Sequence, residues 1–148
     1  MDLQRIGQQL NAFDWKGYNE FHAHAEQAIA SITHGCELMR DGAGDVPGAR
    51  AAATAGLEEL AQARTGAPTA AAAQLDRATR FVQEGIDLLA PNHHGWLGYD
   101  SPASARSFTA ALDPIRAADD VIYAPMRQVE SNIRGQVAQE SSGGWHSE

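Results

Sequence analysis

Residues 101–137 read SPASARSFTAALDPIRAADDVIYAPMRQVESNIRGQV and carry the clearest helical pattern in the chain. Ser101 suits the N-cap and Pro102 the first helical position. Apolar residues then recur every three or four positions, which places them on one face of an α-helix. With one polar interruption at Asp119, that face comprises Ala105, Phe108, Leu112, Ile115, Ile122, Met126, Val129, Ile133 and Val137. Pro114 and Pro125 lie inside the pattern, and we expect each to bend the helix or break it locally.

The first forty residues carry a second apolar face with the same spacing, which predicts another long helix. That face comprises Leu3, Ile6, Leu10, Phe13, Gly17, Phe21, Ala25, Ala28, Ile32, Cys36 and Met39. The following segment, DGAGDVPG at 41–48, is rich in Gly and Pro and predicts a loop. An alternative is that the first helix breaks at residues 14–17.

Two shorter helices are predicted between the long ones, at about 49–65 and about 69–90. Gly66-Ala67-Pro68 should join them in a tight turn, as between antiparallel neighbours. The sequence therefore predicts an all-α fold, an antiparallel up-and-down four-helix bundle with two long outer helices overhanging two short inner ones. Residues 1–140 would form this single domain, and residues 141–148, which lack a helical pattern, a flexible tail.

Helix lengths predict where the overhang begins. Gly17 lies 23 residues before Arg40, and Pro125 lies 23 residues after Pro102. The third helix is about as long. Gly17, Pro125 and the start of the third helix should therefore lie at the same level along the bundle, roughly 34 Å from its other end. The outer helices would then extend past the inner ones at residues 3–16 and 126–140.

The overhanging segments keep their apolar faces although no inner helix covers them, and an uncovered apolar stripe of this length usually has a partner. We therefore expect a homodimer or a helical protein partner to bind there. The predicted interface comprises Leu3, Ile6, Leu10, Phe13, Met126, Val129, Ile133 and Val137. The alternative is that the overhanging segments fold back on the rest of the four-helix bundle.

Composition excludes several classes of function. Ala occurs 28 times, whereas Leu, Ile, Val and Phe together occur 26 times, which indicates a thin helical core. The net charge is −8 and no basic stripe exists, so nucleic acid is an improbable partner. The chain contains no apolar run long enough for a membrane span and no signal-peptide pattern at its start. We expect a cytoplasmic protein, or one exported without a cleavable signal peptide.

Metal or small-ligand binding is the competing hypothesis. His34 stands near the end of the first long helix, where the loop bearing His93 and His94 should also lie. These three imidazoles could converge on Zn²⁺ or a similar ion. No ligand-spacing motif supports such a site, so no cofactor is predicted.

Catalytic motifs are also absent from the sequence. No GxSxG, P-loop or dinucleotide-binding pattern occurs, and Cys36 falls on the apolar face, where a buried thiol is the usual interpretation. Asp119 interrupts its apolar face and would be a functional signal if buried, although it could also face solvent or pair with an Arg. We expect no enzymatic activity.

Two Trp-x-Gly triplets, Trp15-Lys16-Gly17 and Trp96-Leu97-Gly98, are the most specific local patterns. Trp96 is suited to plug a bundle end, and Gly98 to let the chain reverse. Residues 95–138 resemble the Trp-x-Gly proteins of ESX, or type VII, secretion, which are small acidic helical hairpins that dimerise into four-helix bundles. The resemblance implies a self-associating helical protein. The export motif of that family, Tyr-x-x-x-Asp/Glu, is not matched here, because Arg127 stands four residues after Tyr123.

Overall fold

The computed structural model describes residues 3–40, 45–89 and 101–146. These residues form five α-helices and no strand, which confirms the predicted all-α class. The helices are α1 (Leu3–Ala12), α2 (Trp15–Arg40), α3 (Val46–Arg64), α4 (Thr69–Leu88) and α5 (Ser101–His146).

The first long helix is divided, so the expectation of one continuous helix is wrong and the alternative of a break is correct. Asp14 causes the division, because its side chain accepts a hydrogen bond of 2.9 Å from the Gly17 N–H and so caps the start of α2. The Trp15 indole N–H donates to the Leu10 carbonyl at 2.7 Å and satisfies the end of α1.

The last helix is longer than its sequence indicates, and neither of its prolines breaks it. It runs without interruption through Pro114 and Pro125 and continues to His146, a length of 46 residues or about 69 Å. The helix therefore extends past residue 140, where the sequence pattern ends, and the flexibility of the tail stays a prediction. An established helix adds one hydrogen bond for each further residue, which lets weak helix formers prolong it.

The main core lies where α2 packs against α3 and α5, and α4 against α5 and α3. Small residues let these helices approach closely, as expected of an Ala-rich chain. The buried ring of Phe108 lies against Gly85, where an added Cβ would stand 2.4 Å from a ring carbon. Beside this contact, the buried Ser104 hydroxyl donates to the Gly85 carbonyl at 2.6 Å.

A second, smaller cluster forms where α1 packs against the distal part of α5. Ile6, Met126 and Val129 are buried there, and Leu10, Phe13 and Tyr123 pack around them. We call α1 together with residues 123–146 of α5 the overhang. Only two helices of the described chain build it, so much of each helix surface stays uncovered.

Close packing at Gly85 generates a test by paired substitutions. We expect Gly85→Ala to lower the free energy of unfolding by about 1–3 kcal/mol, because the Phe108 ring must move. Gly135→Ala should raise it by about 0.5–1 kcal/mol, because the added Cβ would meet no described atom within 4 Å apart from its chain neighbours and its own helix backbone. Urea denaturation followed by circular dichroism measures both changes. Equal effects of the two substitutions would contradict the packing argument.

Candidate functional site

The eight predicted interface residues divide into three groups by their exposure in the structure. Ile6, Met126 and Val129 are buried within the chain, so the expectation that they are uncovered is wrong. Leu10 and Phe13 are half-buried beside them. The remaining three keep exposed side chains, with 76% of Leu3, 38% of Ile133 and 56% of Val137 accessible. We call these three residues the overhang surface.

The register between α1 and α5 brings the overhang surface together. The rings of Phe13 and Tyr123 lie 6.1 Å apart, and Ile6 packs in one cluster with Val129, so the two helices run antiparallel. Continuing that register places Leu3 at about the level of Ile133, with Val137 one turn further along α5. The apolar stripe of the buried cluster therefore continues into solvent at the end of the overhang.

A polar network holds α2 against α5 at the base of the overhang. The Tyr18 hydroxyl donates to Asp119 Oδ1 at 2.9 Å, and His22 Nδ1 lies 2.6 Å from Asp119 Oδ2. Asp119 thus pairs with a histidine and a tyrosine rather than with an Arg, and its side chain is only 17% exposed. Glu26 lies 3.8 Å from His22 Nε2.

The pKa of Tyr18 is raised well above its ordinary value. Burial is the main cause, followed by the hydrogen bond to the Asp119 carboxylate and the negative charge of that group. Phenolate formation beside Asp119 would remove the donated proton and place two anions together. Tyr18 therefore serves here as a hydrogen-bond donor.

Aromatic rings fill the joint between the overhang and the rest of the chain. Phe13 contacts Trp15 edge to face, with centroids 4.8 Å apart, and Tyr18 lies 5.0 Å from Tyr123. The Arg127 guanidinium stands 5.7 Å from the Tyr123 ring centroid, within cation–π range. This packing ties the direction of α1 to that of α5.

The sequence did not reveal the Tyr18–His22–Asp119 network. Asp119 was recognised as a polar interruption, but its partners lie about a hundred positions earlier in the chain. No local spacing connects them. The one available signal was the coincidence of three polar side chains on helices expected to be adjacent.

Of the predicted metal and turn residues, the structure describes only His34. His34 is exposed on α2, whereas His93, His94, Trp96 and Gly98 lie outside the described residues. Among the residues that are described, no group of three His, Cys, Asp or Glu side chains could hold a metal ion. Cys36 is buried, as its position on the apolar face predicts, with Sγ 3.7 Å from the Ala105 carbonyl.

Comparison of the chain with family models, curated proteins and solved structures finds no match. None of the described helices has the combination of length and apolar character that crossing a bilayer requires.

The raised pKa of Tyr18 predicts how stability depends on alkaline pH. The unfolded chain releases the tyrosine proton near the ordinary pKa of 10.0, whereas the folded chain retains it. Folding therefore loses stability as pH rises above about 10, because the unfolded state binds fewer protons there. Tyr18→Phe should show a shallower loss than wild type in urea titrations between about pH 9 and 11. Identical pH dependence in the two proteins would refute the assignment.

Proposed function

We propose that this protein is a non-enzymatic helical assembly module that forms a homodimer through its overhang. In this arrangement, α1 and the distal part of α5 from two copies pack into an intermolecular four-helix bundle. The observation that carries the proposal is the continuation of an internal apolar stripe into the exposed side chains of Leu3, Ile133 and Val137.

We further propose that α2 to α5 form an antiparallel up-and-down bundle, which serves as the body beneath the overhang. Contacts between α2 and α3 support opposite directions, because Gly35 faces Ala49 whereas Ile32, earlier in α2, faces Gly56, later in α3. The same reversal occurs between α2 and α5, where Cys36 contacts Ala105 and the earlier His22 contacts Asp119.

The small size of the overhang favours association. α1 has ten residues, a length at which an isolated helix is marginal in water, and of the described helices only α5 packs substantially against it. A second copy would remove the exposed leucine, isoleucine and valine from water, at about 25 cal/mol for each Å² of apolar area. Dimerisation would therefore cover apolar side chains that the described residues leave exposed.

Charge also permits self-association at this end of the molecule. The whole chain has a net charge of −8, so two bodies repel each other. Residues 3–12 and 123–140, in contrast, carry three Arg against two Glu. The overhang is thus close to neutral, and contact there brings the least repulsion between copies.

Dimerisation into a helical bundle is also what the resemblance to Trp-x-Gly proteins implies. That resemblance stays a prediction, because Trp96 and Gly98 lie outside the described residues. Whether the chain is exported belongs to the same prediction.

Light scattering coupled to size exclusion tests the proposed dimer. We expect wild type to have twice the chain mass of 15.8 kDa at micromolar concentration. The double variant Ile133→Asp/Val137→Asp should weaken association by at least about tenfold, because two charges replace buried apolar contacts. Its circular dichroism should remain that of a helical protein.

The chain offers a matched control for that variant. Ala124 and Gln128 are exposed on α5, nine residues before Ile133 and Val137 respectively, which is about two and a half turns and so the opposite face. Ala124→Asp/Gln128→Asp adds the same two charges at the same spacing and should leave the dimer intact. A monomeric wild type, or equal dissociation of both double variants, would contradict the proposed dimer. If the Ile133/Val137 variant unfolds, Leu3→Asp, at the most exposed position, takes its place.

A further inference from the structure

A cleft of about 930 Å³ opens between the base of the overhang and the turn that joins α3 to α4. One wall comes from residues 12–24, at the end of α1 and the start of α2. The second comes from residues 121–129 of α5, and the third from residues 62–68. Its volume falls in the range typical of sites that bind drug-sized molecules.

Apolar side chains line the deep part of the cleft. Phe21, Met126 and Val129 are buried members of the two hydrophobic clusters and contribute their remaining surface to it. Phe13 and Ile122 line it as half-buried residues. An apolar ligand body would find here a surface continuous with the protein core.

The lining residues carry carboxylates but no Lys or Arg, although Lys16, Arg64 and Arg127 belong to the same stretches of chain. Asp14 and Glu20 are the exposed carboxylates of the cleft. His24 also lines it, and its Nδ1 lies 2.7 Å from Glu59 Oε2. Asp14 Oδ1 accepts a hydrogen bond from Gly17, whereas Glu20 forms no ion pair with any described residue.

We propose that this cleft binds a small apolar molecule that carries a positive charge, such as a hydrophobic amine. The apolar lining accepts the body of the ligand, and the Asp14 and Glu20 carboxylates attract its ammonium group. Phe13, Tyr18 and Phe21 also line the cleft, and aromatic rings attract cations. An anion of the same shape would meet two carboxylates, with no Lys or Arg among the lining residues.

This inference rests on different side chains from those that carry the proposed dimer. The three residues of the overhang surface do not line the cleft. Ligand binding can therefore be present in a monomer, and a dimer can form with the cleft empty. Failure of one proposal leaves the other standing.

Three probes of one shape test the inference by two-dimensional amide NMR on the full chain: 4-phenylbutylamine, 4-phenylbutan-1-ol and 4-phenylbutanoate. We expect the amine to bind with a Kd of about 1 mM or below, and to shift the amides of Gly17, Thr65 and Gly66. The alcohol should bind more weakly at the same residues, and the carboxylate most weakly. Equal affinity for amine and carboxylate, or no saturable shift up to about 5 mM amine, would overturn the proposal.

Two substitutions locate the ligand and its charge. Glu20→Gln should weaken amine binding by about two- to fivefold and leave alcohol binding unchanged, since the carboxylate is exposed and screened. Glu37→Gln is the control, because Glu37 is an exposed residue of the same helix about 25 Å away. Val121→Trp fills the cleft from an exposed position of α5 and should abolish binding of both amine and alcohol. Unchanged binding in Val121→Trp, or equal losses in the two Gln variants, would contradict the assignment.

Discussion

The contact between the Phe108 ring and Gly85 fixes the position of α5, and the rest of the molecule depends on that helix. Phe108 is among the largest fully buried side chains. It fits because glycine leaves room at Gly85, and Gly35 on α2 approaches the same ring. In a chain with few large apolar residues, one aromatic ring between two glycines provides contact that several leucines would otherwise supply. α5 then serves as the common partner of α1, α2 and α4.

The helix break at Asp14 separates the two regions on which the two proposals rest. Capping by Asp14 ends the first helical segment and starts the second, while the Tyr18–Asp119 hydrogen bond holds the new helix to α5 just beyond the break. On one side of the joint, two helices are left with an uncovered apolar end. On the side that faces the α3–α4 turn, the passage from α1 to α2 forms one wall of the cleft. Both proposals therefore originate in one short segment.

Sequence patterns predicted the helices well and their breaks less well. The predicted bounds of the two inner helices lie within three residues of the observed ones. Gly66 and Pro68 mark their junction, where Gly66 takes a φ of 76°. The break at residues 13–14 does not interrupt the apolar pattern, because Phe13 and Gly17 keep the four-residue spacing across it. Both segments also pack on α5. Burial of Ile6 against Val129 could not be predicted, because the periodicity that identifies an apolar face does not identify what covers it. The His22–Asp119 pair is 97 positions apart and leaves no local signal.

The continuity of α5 has a mechanical consequence. A single helix passes from the body into the overhang without a break. A change in the direction of its axis near Tyr123, where the aromatic rings pack, would therefore be carried along the whole distal segment. From Tyr123 to His146 the helix is about 35 Å long, so a tilt of about 5° at Tyr123 would move its tip, the C-terminal end, by about 3 Å. Small adjustments of side chains at the joint thus become displacements, at the tip, as large as an atomic diameter.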